Sequence, residues 1–322
     1  MTALLIHGGA GGDGPWRGLS DFDPQRIDTM NRLLIHIGTR LEKGTMSALE
    51  AVIEAVEWLE NEPLFNAGRG SVLDEYGTVS MDASLMDGKS GRAGALIGSA
   101  RIKNPIRCAE HLLQQEWPIM YYGSAADQKA EEFGCQMKDP SWFITDLRKA
   151  QWKKWKDASL RPGSTDEDDH AVLDHDIEDV GMGTVGAVAL DHQGCLAAGT
   201  STGGMTGKPS GRIGDTPIIG AGTWADHNIA ISCTGVGEAF IRTCAAHTVA
   251  TSYGGGGQSL DKAAQNLLDL VGPLGGRGGL IALTKDGGFV LPYQTRLMYR
   301  GWYHGGKGRV AVGPEEYELL VN

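Results

Sequence analysis

Two textures of apolar positions run along the chain, short continuous runs and recurrences at every third or fourth residue, and they predict strands and helices respectively. Residues 3–6 predict a short buried strand that ends in His7-Gly8-Gly9-Ala10-Gly11-Gly12, where glycines permit positive φ and close backbone contact. Ile27, Met30, Leu34, Ile37 and Leu41 predict a helix, opened by Asp23 as N-cap with Pro24 behind it and stopped by Gly44. The capping box Ser47-Ala48-Leu49-Glu50 opens a second helix with Val52, Val56 and Leu59 on its apolar face. Strands follow at 79–86 and 93–97. Asn104-Pro105 caps a helix bearing Ile106, Ala109 and Leu113; a weaker one covers 124–133, and Asp139-Pro140 opens a short last one. Residues 184–190 are small and apolar without interruption, as in a strand covered on both faces, and with a turn at 191–194 and residues 195–200 they form a hairpin pattern. The remainder reads as a strand at 229–234, helices at 238–251 and 259–270, and strands at 279–284 and 289–293. Strands and helices fall in blocks, which predicts an α+β fold with helices packed over mainly antiparallel sheets.

The chain turns polar from 153, and over about 157–183, which contains Ser164-Thr165-Asp166-Glu167-Asp168-Asp169, it has too few large apolar residues to pack. A flexible linker is expected there. The segments it separates are each unbalanced, so 1–322 is expected to form one domain in two pieces. The linker runs through Gly181-Met182-Gly183 into a buried strand whose first residue is Thr184. If the Gly183–Thr184 bond were cut, Thr184 would carry a free α-amine beside its own hydroxyl, a nucleophile and its base in one residue. A solvated loop entering an ordinary core strand with threonine at its edge has the same pattern.

Composition narrows the classes. The net charge is −11 over 322 residues and the Lys and Arg residues are scattered, which excludes a basic surface for nucleic acid or anionic membrane. No run is long enough to span a bilayer. The opening Met1-Thr2-Ala3-Leu4-Leu5-Ile6-His7 lacks a charged leader and breaks at once into glycines, so it reads as a strand and not a signal peptide, and a cytoplasmic location is expected. The five cysteines are odd in number and lack C-x-x-C spacing, which argues against a disulfide framework or zinc site.

Several short motifs carry candidate chemistry. Thr200-Ser201-Thr202-Gly203-Gly204 reads as a turn or as a set of hydroxyls near a site. Thr234-Gly235, where a strand meets a helix, either offers a hydroxyl and an N–H to a developing oxyanion or caps the helix. Arg212 and Asp215, three apart in a glycine-rich turn, either pair with each other at the surface or point a guanidinium and a carboxylate at one zwitterion.

Together these motifs resemble the plant-type L-asparaginase / isoaspartyl aminopeptidase family of N-terminal-nucleophile hydrolases, from His7-Gly8-Gly9-Ala10 almost to the C-terminus. The motifs that carry the resemblance are Gly183-Thr184-Val185-Gly186-Ala187-Val188, Thr200-Ser201-Thr202-Gly203-Gly204, Gly211-Arg212-Ile213-Gly214-Asp215 and Thr234-Gly235-Val236-Gly237-Glu238. The resemblance implies a four-layer αββα sandwich, self-cleavage into 1–183 and 184–322, and an (αβ)2 heterotetramer. It implies Thr184 as nucleophile, Thr202 as hydroxyl partner, and Thr234 with Gly235 as oxyanion hole. Arg212 and Asp215 would hold the substrate's α-carboxylate and α-ammonium, with Gly237 in the same pocket and Asn66 near the nucleophile. No cofactor is implied for catalysis, but a structural sodium ion is, on the backbone carbonyls of Leu59, Glu60, Glu62, Phe65, Ala67 and Arg69. Arg69 stands where an apolar residue is expected, and a cation there repels the ion unless its side chain turns away.

The expected function is hydrolysis of β-aspartyl amide bonds through a Thr184 acyl-enzyme, releasing L-aspartate from isoaspartyl dipeptides and L-asparagine. The freed amine, with a reference pKa of about 7.7–8.0, takes the hydroxyl proton near neutral pH. A glycosylasparaginase or taspase-like relative shares the machinery. From a different class, a glycine-loop protein binding anions or nucleotides ranks below, because neither G-x-x-x-x-G-K-[ST] nor a G-x-G-x-x-G between strand and helix is present. A relative that no longer cleaves itself and serves as a scaffold is the remaining alternative.

Overall fold

The computed structural model describes residues 1–11, 24–159, 183–313 and 315–318. The first segment contributes β1 (Ala3–Gly11), α1 (Pro24–Glu42), α2 (Ala48–Asn61), β2 (Met81–Asp87), β3 (Ala93–Ser99), α3 (Pro105–Gln115), β4 (Met120–Tyr122), α4 (Gly123–Glu132) and α5 (Asp146–Ser159). The second contributes β5 (Val185–Leu190), β6 (Leu196–Thr202), β7 (Thr223–Ala225), β8 (Ile229–Gly235), α6 (Gly237–Arg242), α7 (Ala245–Gly254), α8 (Leu260–Val271), β9 (Gly278–Thr284), β10 (Phe289–Val290), β11 (Leu297–His304), β12 (Lys307–Val312) and β13 (Glu315–Glu318).

The fold is mixed α/β, with a nine-stranded sheet in the order β13-β12-β11-β1-β5-β6-β2-β3-β4 and a four-stranded sheet in the order β10-β9-β8-β7. All neighbours are antiparallel except β3 and β4. Side chains alternate faces along a strand, and in the central strands both faces are buried. In β1, Leu4 and Ile6 pack with Met30, Leu33 and Ile37 of α1 and with Val52 and Val56 of α2. Ala3 and Leu5, on the other face, meet Ile281 and Leu283 of β9 from the second sheet. That second sheet turns Ile229, Ile231 and Leu280 toward Val249 of α7 and Leu267 of α8.

The sheet edge that matters most lies at the end of β1. It pairs with β5 as far as His7 opposite Gly186, and with β11 as far as Gly11 opposite Leu297, with a register shift between His7 and Gly9. Past His7, β1 therefore parts from β5, and the gap opens beside Gly183 and Thr184.

Some expectations change. The N-cap at Asp23 and linker residues 160–182 lie outside the described residues, but 153–159 belong to α5 and not to the linker. The polar composition conceals Trp155 there and Trp152 just before it. Trp152 Nε1 donates to the Asp74 carbonyl at 2.8 Å, and Trp155 lies against Gly207. The single helix expected over 238–251 is two, divided at Cys244 with φ 46°. The amides of Ala246 and His247 donate to the carbonyls of Ala221 and Gly220, so a neighbouring loop caps the new helix. Ser47 and Glu50 do form the capping box on α2. At α3, in contrast, the Asn104 side chain makes no cap; Glu60 Oε1 accepts from Ile106 N at 3.0 Å. The C-terminal strands from β11 onward were not anticipated.

Candidate active site

Thr184 begins the site because its backbone continues a buried strand while its side chain reaches the gap beside β1. It is 5% exposed, and its Oγ1 lies 3.5 Å from Oγ1 of Thr216, which immediately follows Asp215. Among the described residues no ionisable side chain is hydrogen-bonded to the Thr184 hydroxyl. The carbonyl of Gly183 packs on Gly9, whose φ is +109°, and a Cβ there would stand 2.3 Å from that oxygen. Only glycine fits both the conformation and the contact.

His7 sits close by but faces another way. Its Nδ1 donates to the Thr184 carbonyl at 2.9 Å, which leaves Nε2 as acceptor for the Ser232 hydroxyl at 2.8 Å. Full burial pushes the imidazole from 6.5 down to about 3, partly opposed by the bond to Thr184, so the ring stays neutral. It therefore holds the backbone and does not act as base to Thr184 Oγ. Ser232 is 2.7 Å from Thr200 Oγ1, Thr223 donates to Thr200, and the Ser84 hydroxyl approaches Thr223 at 2.7 Å and the Thr216 carbonyl at 2.6 Å. A buried seam of hydroxyls thus runs from the carbonyl of Thr184 round to the residue whose side chain faces its hydroxyl. Space for the seam comes from Gly186, where a Cβ would stand 2.4 Å from His7 Nε2.

Arg212 and Asp215 line the same pocket as Thr184, and they do not pair with each other. Arg212 donates from Nε and Nη2 to the two carboxylate oxygens of Glu238 at 2.7 and 2.6 Å. That bidentate grip leaves the edge carrying Nη1 for a ligand. Asp215 is 3% exposed, and its Oδ2 has no hydrogen-bond partner among the described residues. Burial, the largest influence, raises its carboxyl from 3.8 to about 7. An orphaned carboxyl beside a guanidinium is matched to a ligand carrying its own cation and anion.

The other expected residues fall around this centre. Thr202 lines the pocket, and its Oγ1 accepts from Gly204 N at 3.0 Å; among the described residues the hydroxyl within hydrogen-bond reach of Thr184 Oγ1 is that of Thr216. Gly235 also lines it. Thr234 is fully buried, accepts from Ala10 N at 3.1 Å, and lies beside Gly183. Gly237 packs on Asp215, where a Cβ would stand 3.0 Å from Oδ1. Asn66 is not among the lining residues; its amide donates to the Gly204 carbonyl at 2.7 Å and its oxygen accepts from Val72 N at 2.9 Å, which braces the turn after Thr202. The side chain of Arg69 is turned onto the Trp142 ring, 5.0 Å from its centroid. Sequence reasoning missed Thr216, Ser232 and the pairing role of Glu238. Each follows or precedes a motif residue, but only tertiary packing reveals its partner.

Fold and site thus define a mixed α/β protein in which a buried threonine hydroxyl shares one pocket with a guanidinium and an unpartnered carboxyl. The family described as asparaginase matches residues 1–312. The chain belongs to that family. It is 40% identical over 311 residues to the "Isoaspartyl peptidase" of Escherichia coli (strain K12), covering 95% of this chain and 94% of that one. It is 36% identical over 315 residues to the "Plant-type L-asparaginase" of Pyrococcus horikoshii, covering 97% and 100%. The "Isoaspartyl peptidase/L-asparaginase" of Mus musculus is also 36% identical over 315 residues, covering 96% and 90%.

Proposed function

We propose that the chain is a self-processing hydrolase of β-aspartyl amide bonds that acts on isoaspartyl dipeptides and L-asparagine. The observation that carries this reading is that Gly183, Thr184, Arg212 and Asp215 line one pocket. In the precursor, Thr184 Oγ attacks the carbonyl carbon of Gly183, the C–N bond breaks, and the freed amine takes the hydroxyl proton. Water then hydrolyses the ester to a Gly183 carboxylate and a free Thr184. In turnover, the α-amine takes the hydroxyl proton, Oγ attacks the side-chain carbonyl of the aspartyl group, and ammonia or an amine leaves with that proton. Water releases L-aspartate from the resulting β-aspartyl ester. Arg212 and Asp215 hold the α-carboxylate and α-ammonium, and Thr234 with Gly235 stabilises the oxyanion. Thr202 supports the nucleophile, and Gly237 and Asn66 shape the pocket from behind.

We further read the fold as a four-layer αββα sandwich, supported by core clusters on both faces of each sheet. The reading includes one domain cut into 1–183 and 184–322, assembly as (αβ)2, and a cytoplasmic location. A sodium ion would rest on the carbonyls of Leu59, Glu60, Glu62, Phe65, Ala67 and Arg69, oxygen donors of the type hard cations take. The bare Cα positions of Gly68 and Gly70 leave room there, since a Cβ would stand 2.4 Å from the Glu60 oxygen and 1.9 Å from that of Phe65.

Denaturing electrophoresis with N-terminal sequencing tests the reading. Wild type is expected to yield two fragments, one beginning at Thr184, and to hydrolyse both substrates. Thr184→Ala is expected to stay uncut and inactive, and cleavage of that variant at the same bond would overturn the mechanism.

A further inference from the structure

Until the Gly183–Thr184 bond breaks, Thr184 has no free amine, and among the described residues no ionisable side chain is hydrogen-bonded to its hydroxyl. Some other group must turn the O–H aside, because Oγ attacks with a lone pair. Thr216 Oγ1 stands 3.5 Å away, and among the described residues each of these two hydroxyls is the other's single hydrogen-bond partner. Thr216 is 1% exposed and lines the same pocket as Gly183 and Thr184. The separation exceeds the roughly 2.7–2.8 Å of an ordinary O–H···O bond, as is common for catalytic bonds that tighten only as the reaction proceeds. The backbone of Thr216 is fixed independently of Thr184. Its carbonyl accepts from Ser84 Oγ at 2.6 Å, and the carbonyl of Asp215 before it accepts from Ile218 N at 2.9 Å and Gly222 N at 3.1 Å. Gly222 packs so closely that a Cβ there would stand 2.8 Å from Thr216 Cα. A β-branched side chain on so fixed a backbone has few χ1 states, which holds the hydroxyl in place.

Resting on the hydrolase reading above, we propose that Thr216 is a further catalytic residue, whose hydroxyl accepts the hydrogen bond of the Thr184 O–H and so aims a lone pair of Thr184 Oγ at the Gly183 carbonyl carbon. Two buried hydroxyls can pair either way round, but only with Thr184 as donor is its lone pair left for attack. Thr216 takes the hydrogen bond and not the proton, which ends on the Thr184 nitrogen when the C–N bond breaks. After cleavage the freed α-amine is a second acceptor for the same hydroxyl proton. Thr216 therefore counts most in self-cleavage and less in turnover. The turn that carries Asp215 thus also carries the partner of the nucleophile.

The test follows the appearance of the fragment beginning at Thr184 in wild type, Thr216→Val and Thr216→Ser, and then kcat and KM for L-asparagine in the cut proteins. Thr216→Val keeps the shape and removes the hydroxyl; it is expected to slow self-cleavage about tenfold, the scale of one hydrogen bond, and to lower kcat by a smaller factor with little change in KM. Thr216→Ser keeps the hydroxyl and restores most of the cleavage rate. A valine variant that stays uncut beside a serine variant that matures is the extreme of the same result. Thr216→Ala, smaller than threonine, carries the comparison if the valine variant does not fold. Cleavage at the wild-type rate without the hydroxyl, a serine variant as slow as the valine one, or a loss in kcat as large as the loss in cleavage overturns the role of Thr216 while leaving the hydrolase reading intact. Wild-type protein that neither cuts itself nor hydrolyses L-asparagine overturns the hydrolase reading and the role with it.

Discussion

Asp215 holds its proton up to about 7 because burial disfavours the charge, yet the ammonium it is proposed to bind requires that charge. The unfolded chain releases this proton near 3.8, so stability falls as pH rises from there to about 7, and the full cost is present above. Asp215→Asn is expected to raise stability at pH 8 by a few kcal/mol, to leave it unchanged at pH 3.5, and to lose most kcat/KM for L-asparagine. Urea unfolding at the two pH values, with the assay at pH 8, checks both halves; equal shifts at both pH values would mean that burial of charge is not the cause. The spacing of Arg212 and Asp215 could be read directly from the chain, because both lie in one turn. That Arg212 would give its Nε–Nη2 edge to Glu238 could not, since the two are brought together only by the loop folding onto α6.

At the scale of elements, the hydroxyl seam joins β1, β8, β6, β7 and β2, and so ties the two sheets together where hydrophobic contact gives way to the site. Removing one member leaves buried polar groups unmatched. In a Thr184→Ala background, which keeps the chain uncut, Ser232→Ala is expected to cost about 1–3 kcal/mol in urea unfolding at unchanged m-value. With Thr184 restored, the same change slows self-cleavage, because His7 loses the donor that fixes its ring against the Thr184 carbonyl. Full stability together with an unaltered cleavage rate would reduce the seam to incidental contacts. The helices on the large sheet were legible because their apolar faces recur at helical spacing. Cys244 was not legible as a break, because the carbonyls of Gly220 and Ala221 that cap the new helix come from more than twenty residues away.

At the scale of the whole molecule, strands from the two sides of the Gly183–Thr184 bond alternate in one sheet, with β5 and β6 between β1 and β2. Cutting the bond removes none of those ladders. The two fragments are therefore expected to elute together in gel filtration without denaturant and to separate only after unfolding, as denaturing gels of the eluted fractions would reveal. Separate elution of folded fragments would mean that each half holds its own core, contrary to the mixed clusters.

The sequence by itself determined the local facts: the periodicities that became α1, α2, α3 and the hairpin of β5 and β6, the capping box, and the run of motifs that places the chain in its family. These depend on residues near one another in the chain, whose spacing survives in the linear pattern. Tertiary structure alone decided that Thr216 faces Thr184, that His7 turns to a carbonyl, and that Glu60 caps α3. Each of those contacts joins segments distant in sequence. A single chain carries no mark of such a pairing until burial and strand register bring the partners together.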